Sequence, residues 1–453
     1  MLTSRNSGAR RFDMIARFPI AIAGILLVIG LLPGLAAATP TTVIQVTHND
    51  IVDAEPSIAI NPQNPKNVVA VWIDGTSPAN HSCAYSVSLD AGKAWSNVAH
   101  FPGLSGGGDP SVAFDKDGNV YFECGAGTGP ANRGVAYVSK STDGGLTWGI
   151  PVVAFGTTTE VKGVGFDKIS TNPANGDVYV VGQGGPDGEN IAGYRIFFTR
   201  STDHGASFSS PVQISRPSDG AYTSDPYASA GVDPNTVYVT YGGASSANQG
   251  FYAYDQVFIA KSTDGGATFS TGQKLLDVTP LPSVLPNLVQ DLTASNLWSA
   301  VDRGSGEIYI NFVDYRNGDA DVWLLRVRDT GNAFLLDGLT RVNDDPVANG
   351  ADQFFPFLSL APNGRIDICF QDRRYAPGNI LLFTTCAYSS DGGISFTNVQ
   401  VTKEGFDASN NIFIADYDWQ ASTDRFVMPI FIGDGSPGAD WFGQEVFVAR
   451  VLF

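Results

Sequence analysis

The stretch Ser141–Trp148 (Ser-Thr-Asp-Gly-Gly-Leu-Thr-Trp) decides the fold, because the pattern Ser-x-Asp-x-Gly-x-(Thr/Ser/Ala)-(Trp/Phe) recurs along the chain. Further copies begin at Ser88, Ser201, Ser262 and Ser389, and a degenerate copy runs from Val327 to Phe334. Each copy lies between alternating apolar runs, which predicts a hairpin turn. In such a turn the Asp accepts backbone N–H groups, the Gly takes a positive φ, and the aromatic ring packs beneath the hairpin. We therefore interpret the repeated acids as structural: Asp90, Asp143, Asp203, Asp264 and Asp391.

A second pattern of strand, polar turn and strand precedes these turns, as in Ser111-Val-Ala-Phe followed by Val120-Tyr-Phe-Glu. Seven such units begin near Glu55, Asp109, Asp167, Asp225, Leu297, Phe355 and Asp416. Each unit would hold four strands, A to D, with the repeated turn joining C to D. The seventh unit ends after its C strand, so we predict that Thr42–Val46 supplies the missing D strand and closes the ring. The sequence thus predicts an all-β, seven-bladed β-propeller, with a six-bladed ring as the alternative.

Residues 1–38 are typical of a cleaved signal peptide, with an uncleaved anchor as the alternative. The segment has a basic start, the apolar run Phe18–Leu35 and the small residues Ala36–Ala38. We expect residues 39–453 to form one propeller domain that is secreted, periplasmic or at the cell surface, monomeric, and without a membrane span. Export favours disulfides, and four cysteines allow three pairings. Positions in the repeat favour Cys83–Cys124 and Cys369–Cys386, against the alternative of four buried thiols.

Charge and composition exclude several classes of protein. The 453 residues include 45 acidic and 27 basic residues, and the formal charge is −18. Binding of nucleic acid is not expected, because phosphate recognition needs a basic face. With 51 Gly and 26 Pro, a helical bundle is disfavoured.

The repeated turn resembles the Asp-box, or BNR repeat, of the sialidase (neuraminidase) superfamily. The resemblance implies a β-propeller over the whole mature chain. Such propellers include glycoside hydrolases, polysaccharide-active enzymes and non-catalytic proteins, so the fold alone does not define an activity. Sialidases place their first substrate-binding arginine before the first blade. The stretch from Thr39 to Asn132 contains no arginine, and the first one is Arg133.

Propeller ligands bind where the A strands begin and the B–C loops emerge. The starts of the A strands carry an acidic crescent made of Glu55, Asp109, Asp167, Asp225 and, within one residue, Asp416. These acids either cap their own loops or form a ligand site. A ligand site of this composition would use Asp109 in acid–base chemistry and Asp167 and Asp225 in binding. Calcium is a candidate ligand, because hard cations prefer several oxygens.

The B–C loops of blades 5 and 6 carry a second group of charged residues. It contains Asp314, Tyr315, Arg316, Asp372, Arg373, Arg374 and Tyr375. One hypothesis treats these arginines as a subsite for an anionic glycan, with Asp372 and Tyr315 as catalytic residues. The other hypothesis treats Asp314–Arg316 and Asp372–Arg374 as ion pairs that brace the loops.

Two functions follow from these sites. The first is a propeller that binds a carbohydrate or a cell-surface protein at the channel mouth. The alternative is a sialidase-like glycoside hydrolase that acts on an anionic glycan.

Overall fold

A computed structural model describes residues 42–48, 52–77, 80–104, 106–126, 134–156, 161–185, 193–246, 253–289, 296–409, 413–434 and 444–453. The proposed export segment 1–38 lies outside these residues. Apart from the short 3-10 turn Pro217–Asp219, the regular structure described is β-strand. Nowhere in the described part of the chain is there a helix long and apolar enough to cross a membrane.

The strands form seven antiparallel sheets, so the predicted seven-bladed propeller is confirmed and the six-bladed alternative is wrong. In strand order A to D, blade 1 contains Val52–Ile60, Val68–Ser77, Asn80–Ser88 and Ala99–His100. Blade 2 contains Gly108–Phe114, Val120–Ala126, Val135–Ser141 and Val152–Phe155. Blade 3 contains Lys162–Thr171, Val178–Gly185, Arg195–Ser201 and Val212–Gln213.

The later blades follow the same order. Blade 4 contains Tyr222–Ala230, Val237–Ala244, Gln256–Ser262 and Gln273–Asp277. Blade 5 contains Trp298–Val301, Ile308–Asp314, Asp321–Asp329 and Phe334–Arg341. Blade 6 contains Gln353–Leu360, Ile366–Asp372, Leu381–Ser389 and Thr397–Gln400, with Phe406–Asp407 also paired to its C strand. Blade 7 contains Trp419–Ser422, Phe426–Asp434, Gln444–Ala449 and Val43–Gln45, with Val451–Leu452 also paired to its B strand.

The ring closes with strands from both ends of the chain. Val43–Gln45 pairs antiparallel with Gln444–Ala449, which confirms the predicted N-terminal D strand of blade 7. The A strands of successive blades contact one another, and the A strand of blade 7 contacts that of blade 1. This closed ring brings one end of all seven A strands around a common centre.

The repeated turn has the same hydrogen bonds in each of its five full copies. In blade 2 the Asp143 carboxylate accepts the Thr147 N–H at 2.9 Å, and Ser141 Oγ accepts the Gly145 N–H at 2.9 Å. Gly145 has φ +93°, and a Cβ atom there would lie 2.7 Å from Val69 Cγ2 of blade 1. The glycine is therefore required by the turn and also by the close contact with the preceding blade.

Two disulfides form, in the predicted pairing. Cys83–Cys124 joins the C strand of blade 1 to the B strand of blade 2, with an S–S distance of 2.04 Å. Cys369–Cys386 joins the B and C strands of blade 6, where the two residues are directly opposite each other.

Candidate functional site

In each blade, one non-glycine residue within the A strand or in the residues that lead into it lies in the left-handed backbone region. These residues are Glu55, Asp109, Phe166, Asp225, Asn296, Phe355 and Ala415, one from each blade. In blades 1, 2, 3, 4 and 6 this position coincides with a shift of register against the B strand, as in a β-bulge. Bulges re-aim side chains and are frequent at functional sites. Positive φ in bulky residues is also uncommon and strained.

The predicted acidic crescent places its acids at one position of the repeat, but in the structure they occupy two. Glu55, Asp109 and Asp225 occupy the left-handed position, and each is followed by proline. In blade 3 the left-handed residue is Phe166, and Asp167 follows it; in blade 7 Asp416 likewise follows Ala415. The five acids therefore come from two neighbouring backbone positions rather than one.

The acids of the crescent nevertheless converge on one site. The backbone N–H of Asp109 donates to Glu55 Oε2 at 3.1 Å, which joins blades 1 and 2. Burial and the nearby charges of Asp109 and Asp416 raise the pKa of Glu55 well above its usual value. We call the site formed by Glu55, Asp109, Glu123, Asp167, Lys168, Asp225 and Asp416 the channel-mouth cluster.

Glu123, from the B strand of blade 2, joins the predicted crescent as an additional carboxyl group. It accepts a hydrogen bond from Ser111 Oγ at 2.8 Å and is fully buried. Burial and the neighbouring carboxyl group of Asp167 raise its pKa well above the usual range. The carboxyl groups of Glu123 and Asp167 are close enough to interact electrostatically, so ionisation of Asp167 disfavours ionisation of Glu123.

Two acids of the cluster have pKa values near neutral pH. Burial, followed by the charge of Asp167, raises the pKa of Asp109 to about 7. Burial raises the pKa of Asp225 to about 7, and Lys168 opposes this increase. Asp109 is half-buried whereas Asp225 is buried, so Asp109 is the more accessible proton donor.

Lys168 is the cation at the centre of the cluster. It stands two residues after the left-handed residue of blade 3, where the other blades have Ser57, Ser111, Tyr227, Trp298, Phe357 and Tyr417. Its side chain is 4% exposed, and its Nζ atom lies 3.6 Å from the ring centroid of Tyr417 and 5.8 Å from that of Trp298. It lowers the pKa of Glu55, Asp109, Asp167 and Asp225. This ammonium group therefore faces acids from four blades.

Aromatic rings line the other side of Lys168. Trp298 and Trp419 have ring centroids 4.6 Å apart, and Phe357 stacks on Trp419 at 4.4 Å. Tyr417 donates from its hydroxyl to the carbonyl oxygen of Pro110 at 3.3 Å. Blades 5, 6 and 7 thus contribute an aromatic wall beside Lys168, and blade 7 also contributes the acid Asp416.

The predicted group on blades 5 and 6 forms a separate network of ion pairs. Arg316 pairs with Asp314 at 2.5 Å, and Arg374 pairs with Asp372 at 2.6 Å and also with Asp344. This arrangement matches the loop-bracing hypothesis. Asp372 interacts with Arg374 and Thr385, whereas the acids that raise the pKa of Asp109 are Asp167 and Asp416. Asp372 and Asp109 therefore belong to different groups.

Three further candidates from this network have local partners. Arg373 is fully buried, donates to the Pro286 carbonyl oxygen at 2.7 Å and lies 3.5 Å from Asp352 Oδ2. Tyr375 is hydrogen-bonded to Thr385 Oγ1 at 3.0 Å. Burial, followed by the charges of Asp352 and Asp319, raises the pKa of Tyr315. Their assignment to ligand binding or catalysis stays a prediction.

The channel-mouth cluster does not have the arrangement of a metal centre. Within the described ranges, no group of three or more His, Cys, Asp and Glu residues is placed to hold a metal ion. Burial raises the pKa values of Glu55 and Glu123, and a carboxyl group must lose its proton before it can bind a hard cation. The calcium site stays a prediction.

Fold and site together define a seven-bladed β-propeller with a channel mouth made of carboxyl groups, one ammonium group and an aromatic wall. No protein-family model matches the sequence, and no curated protein sequence matches it.

Solved structures show the same fold at low sequence identity. A protein of unknown function from Dyadobacter fermentans has a TM-score of 0.53 at 13% identity, over 92% of this chain and 99% of that one. An ulvan lyase of polysaccharide lyase family 25 has a TM-score of 0.51 at 14% identity, over 90% and 96%. A leech intramolecular trans-sialidase has a TM-score of 0.48 at 12% identity, over 72% and 65%. At these identities, the two similarities with TM-scores above 0.5 establish the fold alone.

Proposed function

We propose that this chain binds a glycan at the channel mouth. The observation that carries the proposal is the convergence of acids from five blades on one site, where Asp109 and Asp416 remain half-buried. Carboxyl groups accept and, when protonated, donate hydrogen bonds to sugar hydroxyls. The ulvan lyase of similar fold was solved with a bound saccharide, which supports a glycan ligand for this class of propeller.

The mature chain would meet such a ligand outside the cytoplasm. The basic and apolar pattern of residues 1–38 supports export. The two disulfides also support an oxidising compartment. A monomeric state and a protein partner at the cell surface stay predictions.

A glycan array probed with the purified mature chain, followed by calorimetry on the strongest ligand, tests the proposal. Asp109→Asn should weaken binding about tenfold to a hundredfold, because hydrogen bonds to charged or acidic groups contribute about 1.5–3 kcal/mol. Asp117→Asn is the matched control, because Asp117 is 51% exposed in the turn between the A and B strands, at the opposite end of the blade. A folded protein that binds no glycan would overturn the proposal.

The pKa of Asp109 favours a second candidate function, glycoside hydrolysis. A half-buried carboxyl group with a pKa of about 7, next to other carboxyl groups, is suited to donate a proton to a leaving oxygen. Release of reducing ends from a polysaccharide panel measures this activity. Asp109→Asn should lower kcat at least a hundredfold, and Asp372→Asn serves as the comparison from the separate network. Turnover that survives Asp109→Asn would reject this assignment.

A further inference from the structure

The ammonium group of Lys168 is buried without a hydrogen-bond partner. Its Nζ atom donates to no residue in the described part of the chain, although the side chain is only 4% exposed. An ammonium group carries three N–H donors, and buried donors are normally satisfied. The cation–π contact with Tyr417 offsets part of the burial of the charge but satisfies none of the three donors.

An unsatisfied acceptor lies in the same cluster. Asp225 Oδ2 is buried and accepts no hydrogen bond from the described residues. Lys168 and Asp225 attract each other electrostatically, yet they do not form a hydrogen bond. The centre of the ring therefore contains a donor and an acceptor that are both unpaired.

A sugar hydroxyl can be the missing hydrogen-bond partner of both groups. It accepts through its oxygen and donates through its hydrogen, so one hydroxyl, or two neighbouring ones, can satisfy Lys168 and Asp225 together. A ligand carboxylate or sulfate would meet the five acids of the crescent at the mouth. A ligand amine would meet the ammonium group already present. A charged ligand group that paired with either Lys168 or Asp225 would lie beside the like charge of the other residue, so this pair favours an uncharged hydroxyl group.

We propose that the channel mouth selects an uncharged sugar, and that Lys168 and Asp225 bind its hydroxyl groups as specificity-determining residues. This inference rests on the proposed glycan binding and specifies its ligand class. It differs from the anionic glycan expected from the resemblance to sialidases. The arginines that such a glycan would need are paired with Asp314, Asp372 and Asp344 instead.

The first experiment is a glycan array that carries uncharged, uronate- or sialate-bearing, and amine-bearing glycans. The proposal expects the strongest signals on uncharged glycans. Preference for a charged class would overturn this inference and leave glycan binding intact. Binding to no glycan would overturn the proposed function itself.

The second experiment measures the role of Lys168 with the best uncharged glycan from the array. Lys168→Met should raise the Kd measured by calorimetry at least tenfold. The circular dichroism spectrum of the variant should remain that of a folded protein. Lys140→Met is the matched control, because Lys140 also lies over a ring, that of Tyr121 at 5.6 Å, in the strand that leads to the repeated turn of blade 2.

Asp225→Asn gives an independent measurement, because the amide keeps the size of the side chain. The double variant with Lys168→Met should lose less affinity than the two single losses combined, since both groups would bind the same part of the sugar. Unchanged affinity in both single variants would show that a buried water, rather than the ligand, satisfies these groups, and would overturn their proposed role.

Discussion

Replacement of one repeated-turn glycine by alanine tests whether the turn also fixes the spacing of the blades. Gly266, in the turn of blade 4, has φ +94°, and a Cβ atom there would lie 2.5 Å from Phe198 Cε1 of blade 3. Phe198 is 1% exposed and packs against Phe269 with ring centroids 5.0 Å apart, so it has little room to move. Gly331, in the degenerate turn of blade 5, has φ +87° and nothing within 4 Å of the same position.

Both substitutions place alanine in the left-handed backbone region, but only Gly266→Ala also brings a Cβ atom too close to Phe198 of the preceding blade. Alanine in the left-handed region costs about 1–2 kcal/mol. Overpacking a filled interior costs about 1–3 kcal/mol more. Gly266→Ala should therefore lower the free energy of unfolding by about 2–5 kcal/mol, and Gly331→Ala by about 1–2 kcal/mol.

Urea unfolding followed by circular dichroism measures both variants against the unsubstituted chain. Equal m-values would show that the comparison reports stability rather than a change in the unfolded state. Equal losses for the two variants would refute the reasoning, because they would mean that the contact with the preceding blade contributes nothing.

Two further predictions concern pH and the disulfide between blades. Because the folded-state pKa values of Asp109 and Asp225 are raised to about 7, the unfolded chain loses these protons first, and stability should fall between about pH 4 and pH 7. Hydrogen bonding, first from Ser207, lowers the pKa of Asp203 to about 2, so its contribution should be lost as the pH falls below about 4. Calorimetric scans should give the highest Tm near pH 4–5, and a Tm that rises steadily from pH 5 to pH 8 would contradict the assignment. Replacing both cysteines of the Cys83–Cys124 pair with serine should cost about 4 kcal/mol or less, because the bond closes a loop with a sequence separation of 41; unfolding in urea checks this, and an unchanged midpoint would contradict it.

The number of blades could be predicted because its causes are local. The turn needs Ser, Asp and Gly at fixed offsets, and these residues recur in five of the six turns that join a C strand to a D strand. The closing strand could be predicted because the last unit has no D strand, and Thr42–Val46 has the alternation of one. Both inferences depend on neighbouring residues and not on distant contacts.

The register of the acidic crescent could be predicted only where proline marks it. Pro56, Pro110 and Pro226 follow the left-handed acids of blades 1, 2 and 4. In blade 3 the strained residue is Phe166, which no sequence rule favours in that conformation, so Asp167 is offset by one position.

Lys168 and Tyr417 were missed as site residues for a related reason. Lys168 lies within the A strand of blade 3 and Tyr417 lies just before that of blade 7, and their contact joins blades that are far apart in the sequence. One signal was present: Lys168 is the only charged residue at a position where the other six blades have serine or aromatic residues. The ion pairs on blades 5 and 6, in contrast, lie between residues two apart and could be proposed from the sequence.

Asp225 combines left-handed backbone strain with a buried carboxyl group, so the loss of stability caused by the site can be measured at this residue. Glycine removes the left-handed strain at φ +50° and also removes the buried carboxyl group. Asn296 of blade 5 occupies the equivalent left-handed position at φ +46° without a charge, so Asn296→Gly reports strain with little electrostatic contribution. Asp225→Gly should raise Tm at pH 8, where the unfolded chain gains most from ionisation, and should raise it less at pH 4, where this residue is only about half ionised in the unfolded chain. Asn296→Gly should change Tm equally at both pH values.

Loss of glycan binding in Asp225→Gly, together with its higher Tm, would show that this residue is retained for function at the expense of stability. Higher stability with unchanged binding would separate the strained bulge from the ligand. A lower Tm at pH 8 would show that the carboxyl group stabilises the ring, for example by compensating the charge of Lys168, and would reverse the sign of the electrostatic argument. The comparison with Asn296→Gly excludes backbone relaxation as the source of any pH-dependent difference, because both positions share the same backbone conformation.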